Sequence, residues 1–498
     1  MLRIRRTKTG SGKTAVQIVI SGGHKIQVVK HLGTANASEE MVELVKLGTD
    51  YILHHQKQIS LFPQFLYGLA DPEKRHLVVA EDLQISKVTH NFAYEVLCSW
   101  YQFCGFDKLA NSILRDLAVM RIIEPVSKLR SLTLLNEYFG IRYPKNRIYK
   151  ELENIMTLKP LAEKTACDYA KDKLTFDATL VFYDVTTLYF EAFTDDELRK
   201  NGFSKDNKFH QPQVVIGLVV DRLGFPLSYS VFPGNKFEGH TFIPTILEFK
   251  HAHQIRELTV VADAAMVSEE NMTELSKQGL KYIVAARVAN LAKENIKEIS
   301  QYLDHQENKY FVSNTKKGKL ICDYSKKRAF KDKSDRLRYW QKALNQIKYP
   351  SQVSKRSRFI KTNNKDLELK DELFAKDELL EGIKGYLTNL DTVPEQLIIK
   401  RYKDLWHVEK AFRMAKSDLR ARPIYHFKKS SIQAHLLIVF ISLCLSKAME
   451  LATNISIAKI RDLLWKIHDV ELIDTNGKKY HKRESYNHPL IHTLLKLT

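Results

Sequence analysis

The chain has 498 residues, enough for several domains and a large hydrophobic core. With 44% apolar and 27% charged residues it is neither a disordered nor a collagen-like polymer. Lys and Arg outnumber Asp and Glu by 78 to 58, and the net charge of +20 points to a polyanionic partner unless the surplus is simply solvated lysine.

Met1 to Arg6 runs into polar residues with no apolar core behind it, so no secretory leader is expected. Five cysteines (Cys98, Cys104, Cys167, Cys322, Cys444) show no CxxC pair and no even disulfide framework, which predicts a reducing cytoplasm. Residues 1–65 begin with alternating apolar positions. Val16, Ile18 and Ile20 form one set and Ile26 and Val28 another, with Ser21-Gly22-Gly23 between them. This pattern predicts a hairpin, followed by a helix with an acidic start near Ser38. Gly10-Ser11-Gly12-Lys13-Thr14 resembles a phosphate-binding loop, but that motif needs a glycine where Thr7 stands and a buried strand before it. Leu2 to Lys8 is strongly basic instead, which argues against ATP binding.

Residues 66–175 read as a mainly helical region. Leu109, Ile113, Leu117 and Met120 recur at helical spacing until Pro125 breaks the pattern, and Ser127 to Tyr138 resumes it. A helix-turn-helix and plain helix packing both fit. From about residue 176 the texture changes to short apolar runs: Thr179 to Tyr183, Val214 to Val220, Pro226 to Phe232, Leu258 to Ala262 and Tyr282 to Ala286. Their order predicts a meander that passes into βαβ units, hence a mixed α/β sheet over 176–290 that resumes over 385–455. A charged segment, 291–384, looks inserted. After it come a strand-like Gly385 to Leu390, a helix from Pro394 to Leu419 and an apolar helix over 431–451. The longest apolar run, Leu436 to Leu445, is far short of the ~20 residues of a membrane span and reads as a buried helix. Residues 456–498 form a tail suited to oligomerisation.

The basic residues cluster. Lys316 to Lys361 holds sixteen Lys or Arg against Asp323, Asp332 and Asp335. Tyr324, Phe330, Tyr339, Trp340 and Tyr349 are interleaved through it. Cations there can neutralise phosphates while aromatic faces stack on unpaired bases. The competing reading is a solvated helix face with aromatics packed beneath.

Asp184 ends one apolar run and Asp263 another. Acids at the carboxyl ends of strands are well placed for a site and can hold hard cations, although each can equally cap the turn that follows. In Arg401 to Lys416, Tyr402, Glu409 and Lys416 are seven residues apart and fall on nearly one helical face, with Arg413 one turn after Glu409. Val408, Phe412 and Ala415 form a separate apolar face suited to docking on a sheet. Surface i,i+4 pairing is the alternative, and it leaves Tyr402 unexplained.

These pieces resemble the DDE transposases of bacterial insertion sequences, whose catalytic core is RNase H-like. They fit the branch with a Tyr-Arg-Glu-Lys signature and a β-rich insertion between the second and third acids. The matching stretches are Phe182 to Thr187, Val260 to Ala264 and Tyr402 to Lys416. Pro233-Gly234-Asn235 with Glu238 and Thr241, and Arg422 to His426, support them. The resemblance covers 176–450 well. It implies that Asp184, Asp263 and Glu409 bind two Mg²⁺ ions, which Mn²⁺ can replace, and that Tyr402 and Lys416 contact DNA phosphates. Leu405 stands where the signature has arginine, and Arg413 or Arg401 is then the candidate for the missing cation.

The resemblance further implies cut-and-paste transposition through a hairpin at the element's end, with terminal inverted repeats and target DNA as partners. The DNA-bound complex is expected to be at least a dimer, with no membrane involved. The repeats would be read by residues 1–175, and the basic insertion, including Lys326, Lys327 and Arg328, would grip the DNA backbone. Trp406 at helical spacing reads as core, and His210, His240 and His435 as structural. The alternatives are a nuclease of the same fold that cuts without joining and a DNA-binding regulator whose acids are only caps.

Overall fold

The computed structural model describes residues 2–22, 25–55, 83–191, 194–204, 207–208, 210–266, 268–349, 358–363, 366–484 and 488–496. The chain forms two units: Met1–Ser86 with Glu471–Tyr480, and Lys87–Val470 with His481–Thr498. In the first unit, β1 (Leu2–Lys8), β2 (Thr14–Gly22) and β3 (Lys25–Ala35) pair antiparallel in that order, followed by helix α1 (Ser38–His55). The expected hairpin is β2–β3. The phosphate-loop look-alike is the turn between β1 and β2. The Thr9 N–H donates to the Lys13 carbonyl at 2.8 Å, Gly12 takes φ +80°, and Thr14 starts a strand rather than a helix. Three short strands, β4 (Gln84–Thr89), β15 (Asp469–Ile473) and β16 (Lys479–Arg483), each span a boundary between the units.

The second unit starts with α2 (Asn91–Phe103), α3 (Ser112–Ile123), α4 (Lys128–Phe139), α5 (Lys145–Thr157) and α6 (Lys159–Leu174). Ten of the twelve α3 residues are buried, so α3 and α4 are packed helices and α3 is not free to enter a DNA groove. Nor do these helices form a domain of their own, because they share one continuous hydrophobic core with the sheet that follows. Of the expected helical region, 56–82 lies outside the described residues.

That sheet holds eight strands in the order β10-β11-β14-β9-β8-β5-β6-β7. β5 (Leu180–Tyr189), β6 (Gln213–Val220) and β7 (Pro226–Pro233) are the antiparallel meander, and α7 (Gly239–Ala252) follows. β8 (Thr259–Ala262), α8 (Glu269–Lys277) and β9 (Lys281–Ala286) then add two strands parallel to β5. Every residue of β6 and β8 is buried, which explains their unbroken apolar runs: strands covered on both faces do not alternate.

The segment 291–384 does not stand apart from this sheet. After α9 (Lys293–Leu303), its strands β10 (Tyr310–Thr315) and β11 (Gly318–Tyr324) extend the sheet edge. They do so through β14 (Ile383–Thr388), which pairs with both β11 and β9. Beyond the sheet, α10 (Lys326–Lys348), the hairpin of β12 (Ile360–Asn363) and β13 (Asp366–Leu369), and α11 (Asp371–Leu379) pack around Trp340, Phe359 and Phe374. The interleaved aromatics therefore divide. Trp340 and Tyr324 pack inward, while Phe330 is 80% exposed and Tyr339 and Tyr349 also face solvent.

The expected single helix from Pro394 is two, α12 (Glu395–Lys403) and α13 (Trp406–Ser417). The apolar helix is α14 (Lys429–Thr453), followed by α15 (Ile457–Trp465) and α16 (Pro489–Lys496). α14 is long and apolar enough to cross a membrane, yet 83% of its most apolar stretch is buried inside the protein, packed on α3, α5 and β7. Behind α13, His435 of α14 is bonded to the Ala421 carbonyl at 2.9 Å and meets the Lys128 amine. Burial, then the Lys128 and Arg121 charges, hold His435 well below 6.5 and His426 down to about 3. Below pH ~6.5 the unfolded chain takes up these protons while the folded chain does not. Stability therefore falls with acidification, by at most about 1.4 kcal/mol per pH unit for each such histidine. Urea midpoints measured from pH 7 to pH 5 should decline, and His435→Gln should flatten the decline.

Candidate active site

β5 and β8 run parallel with Tyr183 opposite Ala262, so the next residues, Asp184 and Asp263, emerge side by side at neighbouring positions. Successive side chains of a strand point to opposite faces. Tyr183 points to the α7 face, where its hydroxyl bonds to the Thr241 hydroxyl at 2.7 Å. Asp184 therefore points to the other face together with Thr186 and Leu188, and these two line a small apolar cavity with Phe412, Ala415 and Lys416 of α13. Glu409 lies one turn before Phe412, at the end of α13 nearer Asp184, and is exposed. The apolar face of Val408, Phe412 and Ala415 docks as its pattern implies, since all three are buried.

Gly217 of β6 makes room for Tyr183: a Cβ there would lie 2.4 Å from the Tyr183 hydroxyl. Gly234, in the Pro233-Gly234-Asn235 turn, has the Gln213 and Lys200 carbonyls 2.1 and 2.2 Å from where its Cβ would be. Both glycines meet a packing demand, and so does Thr241, which is fully buried.

Tyr402, near the end of α12, is buried and donates its hydroxyl to Asp263 Oδ1 at 3.2 Å. Burial pushes its phenol pKa up. Asp263 acts in the same direction, followed by Glu409 and Asp184, so the phenol stays protonated as a donor. Tyr386 packs edge-on against the Tyr402 ring, and the Lys384 amine lies 4.3 Å from its centre. Burial lowers the Lys384 pKa and Arg328 lowers it further, whereas Asp263 and Asp323 raise it.

The remaining residues singled out in the sequence scatter more widely. Lys416 and Arg413 lie on α13 with Glu409, Arg413 exposed and Lys416 half-buried. Arg401 points the wrong way. It lines a separate cleft with Thr179, Leu180 and Thr259, at the amino ends of β5 and β8. Asp184 is five residues further along β5 than Thr179, roughly 16 Å at the rise of a strand. Between Tyr402 and Glu409 the helix is interrupted, since Asp404 and Leu405, both with right-handed backbone angles, separate α12 from α13. Leu405 is 7% exposed and part of the core, so its position cannot present a cation to DNA. Leu405→Arg would bury a guanidinium and should cost about 2–4 kcal/mol, read as a lowered urea midpoint, rather than improve DNA binding. Trp406, expected in the core, is 51% exposed and stacks on His407, because it begins α13 outside the docked face. Lys326, Lys327 and Arg328 are exposed at the start of α10.

Asp263, Tyr402 and Lys384 open into a cleft of about 660 Å³ that runs to α10 and is also lined by Arg287, Arg328, Arg336 and Arg358. Among the described residues no three His, Cys, Asp or Glu groups lie close enough to cage a cation unaided. Mg²⁺ sheds water reluctantly and takes one or two protein carboxylates, with substrate oxygens completing its shell. Aspartates at two neighbouring strand positions, oxygen donors both, fit that mode better than they fit zinc, which favours nitrogen and sulfur.

The sheet and its acids define a mixed α/β protein with a carboxylate site at the end of a parallel strand pair, open to a basic cleft. Residues 175–445, more than half of the chain, match the family model described as Transposase DDE domain, and the chain belongs to that family. Among solved structures it is similar to a piggyBac transposase synaptic complex with hairpin DNA, at 9% identity and TM-score 0.34, over 86% of this chain and 77% of that one. It is also similar to a pre-cleavage Mos1 transpososome, at 12% identity and TM-score 0.16, over 50% and 78%, and to a Mos1 strand transfer complex, at 13% and 0.16, over 48% and 71%. No curated protein matches the chain.

Proposed function

We propose that the protein is a DNA transposase that binds the ends of an insertion sequence and carries out Mg²⁺-dependent cleavage and strand transfer by cut-and-paste. The observation that supports this reading is the placement of Asp184 and Asp263 at neighbouring positions of the parallel strands β5 and β8, with the Tyr402 hydroxyl bonded to Asp263. The strand order β7-β6-β5-β8-β9, with the first three antiparallel and the last two parallel to β5, supports an RNase H-like core.

In this reading Asp184, Asp263 and Glu409 hold two divalent cations. Bound Mg²⁺ supplies Lewis acidity at the attacked phosphodiester. Tyr402 fixes Oδ1 of Asp263 by its hydrogen bond, which leaves the other carboxylate oxygen to face the cleft. Lys416 and Arg413 offer cations to the DNA backbone beside Glu409, Lys416 as a point charge and Arg413 as a fork. Lys326, Lys327 and Arg328 extend that contact along the cleft. The partners are duplex DNA bearing terminal inverted repeats and target DNA, with a dimer in the bound complex and a cytoplasmic setting.

The test uses the protein, Mg²⁺, a plasmid carrying the gene with its natural flanks, and a second plasmid as target. Covalently joined products are expected. Cleavage without joining would instead identify a nuclease, and binding without cleavage a regulator.

A further inference from the structure

Five cations line the cleft that leaves Asp263, and most are already committed within the protein. Arg336 is bonded to Glu381 at 2.6 Å and Glu378 at 2.9 Å, Arg358 to Asp377 at 2.8 Å, and Arg328 lies 3.4 Å from Asp332. Lys384 and Arg287 differ: among the described residues neither has a carboxylate within ion-pair distance. Both also sit beside Asp263. Arg287 donates to the carbonyl of Ala264, the residue after Asp263, at 3.1 Å, and Lys384 lies over the ring whose hydroxyl holds Asp263. Arg287 follows Ala286 and Lys384 precedes Gly385, the last residues paired between β9 and β14, so both flank the same end of that strand pair, Lys384 still paired with Asp323 of β11.

We infer that Lys384 and Arg287 bind a backbone phosphate of the DNA strand lying across Asp263, Lys384 being the principal contact. Lys384 is half-buried on an aromatic floor, so its amine is held in place before the strand arrives. A cation positioned in advance loses little entropy on binding phosphate, and partial desolvation strengthens the attraction. Arg287 is pinned by its bond to a backbone carbonyl that moves with Asp263. The pair thereby couples the placement of one phosphate to the placement of the acids. This inference rests on the proposed cleavage activity.

The test uses duplexes that span the cut the wild-type protein makes, each with one neutral methylphosphonate near the scissile position. For wild type, one position is expected to slow cleavage by about 10–100-fold, roughly what a desolvated charge contact is worth. Lys384→Met, which keeps the stem over Tyr402, should slow cleavage of unmodified DNA by a similar factor and be indifferent to that methylphosphonate. Lys384→Arg should restore both the rate and the sensitivity. If Lys384→Met keeps the full penalty at every position, or cleaves unmodified DNA at the wild-type rate, the inference is wrong although the proposed activity stands. If wild type cuts no DNA, the activity and the inference fall together. A Lys384→Met protein that melts well below wild type would be replaced by Lys384→Gln and Arg287→Gln, for which the same loss of sensitivity is required.

Discussion

Asp184→Asn, Asp263→Asn and Glu409→Gln are each expected to lower DNA cleavage by at least about a thousandfold while leaving DNA affinity within a few fold of wild type. The size follows from what each carboxylate does in the proposed site: it neutralises and positions cations at the reacting phosphate, and a thousandfold is about 4 kcal/mol of transition-state stabilisation. The amides keep shape and packing but remove the charge. Asp184 and Glu409 are not in the core, so the fold should tolerate them. The measurement is cleavage of the flank-bearing plasmid beside a gel-shift titration and a melting curve. Because the acids act as one unit, the double variant Asp184→Asn/Glu409→Gln should be scarcely worse than either single one. A variant that cleaves normally would remove its residue from the site, and loss of binding in step with cleavage would mark that residue as structural.

The second large effect concerns the residue behind Asp184. Gly217→Ala would place a Cβ 2.4 Å from the Tyr183 hydroxyl and 2.8 Å from its ring, in a region with no empty space. Tyr183 is locked by Thr241 and packs on Phe242, so neither ring nor strand can yield without cost. Overpacking of this kind is worth about 1–3 kcal/mol, and denaturant unfolding should show it. Since Tyr183 and Asp184 are consecutive in β5, cleavage should fall as well. Tyr183→Leu in the Gly217→Ala background should recover part of the lost stability, so that the two changes are less than additive. Full additivity would mean that Gly217 matters for some other reason.

The parts of this site that sequence reading reached are those that local pattern encodes. Strands β5, β6 and β8 are covered on both faces and hence spell continuous apolar runs, and an acid that ends or interrupts such a run stands out. The docked side of α13 was legible because Val408, Phe412 and Ala415 spell it, and all three are buried. Other features depend on contacts between distant segments and left no local trace. The break at Asp404 and Leu405 keeps right-handed backbone angles, so the helical periodicity runs through it undisturbed. Strand β10 is an edge strand with no fully buried residue, and in a basic stretch it reads as loop. Arg401 sits one residue from Tyr402 yet faces the opposite end of the sheet. Lys384, eighteen positions before Tyr402, reaches the same phenol only because β14 and α12 flank β9.

The account turns on three carboxylates, far apart in the sequence, that the proposed function assigns to one metal site. Crystals of the protein with a duplex carrying its cut end, soaked in Mn²⁺, would test this most directly through the anomalous signal of the metal. The account predicts signal bounded by Asp184, Asp263 and Glu409, with DNA oxygens completing the shell. Mn²⁺ bound to DNA elsewhere while these three side chains remain without metal would contradict it.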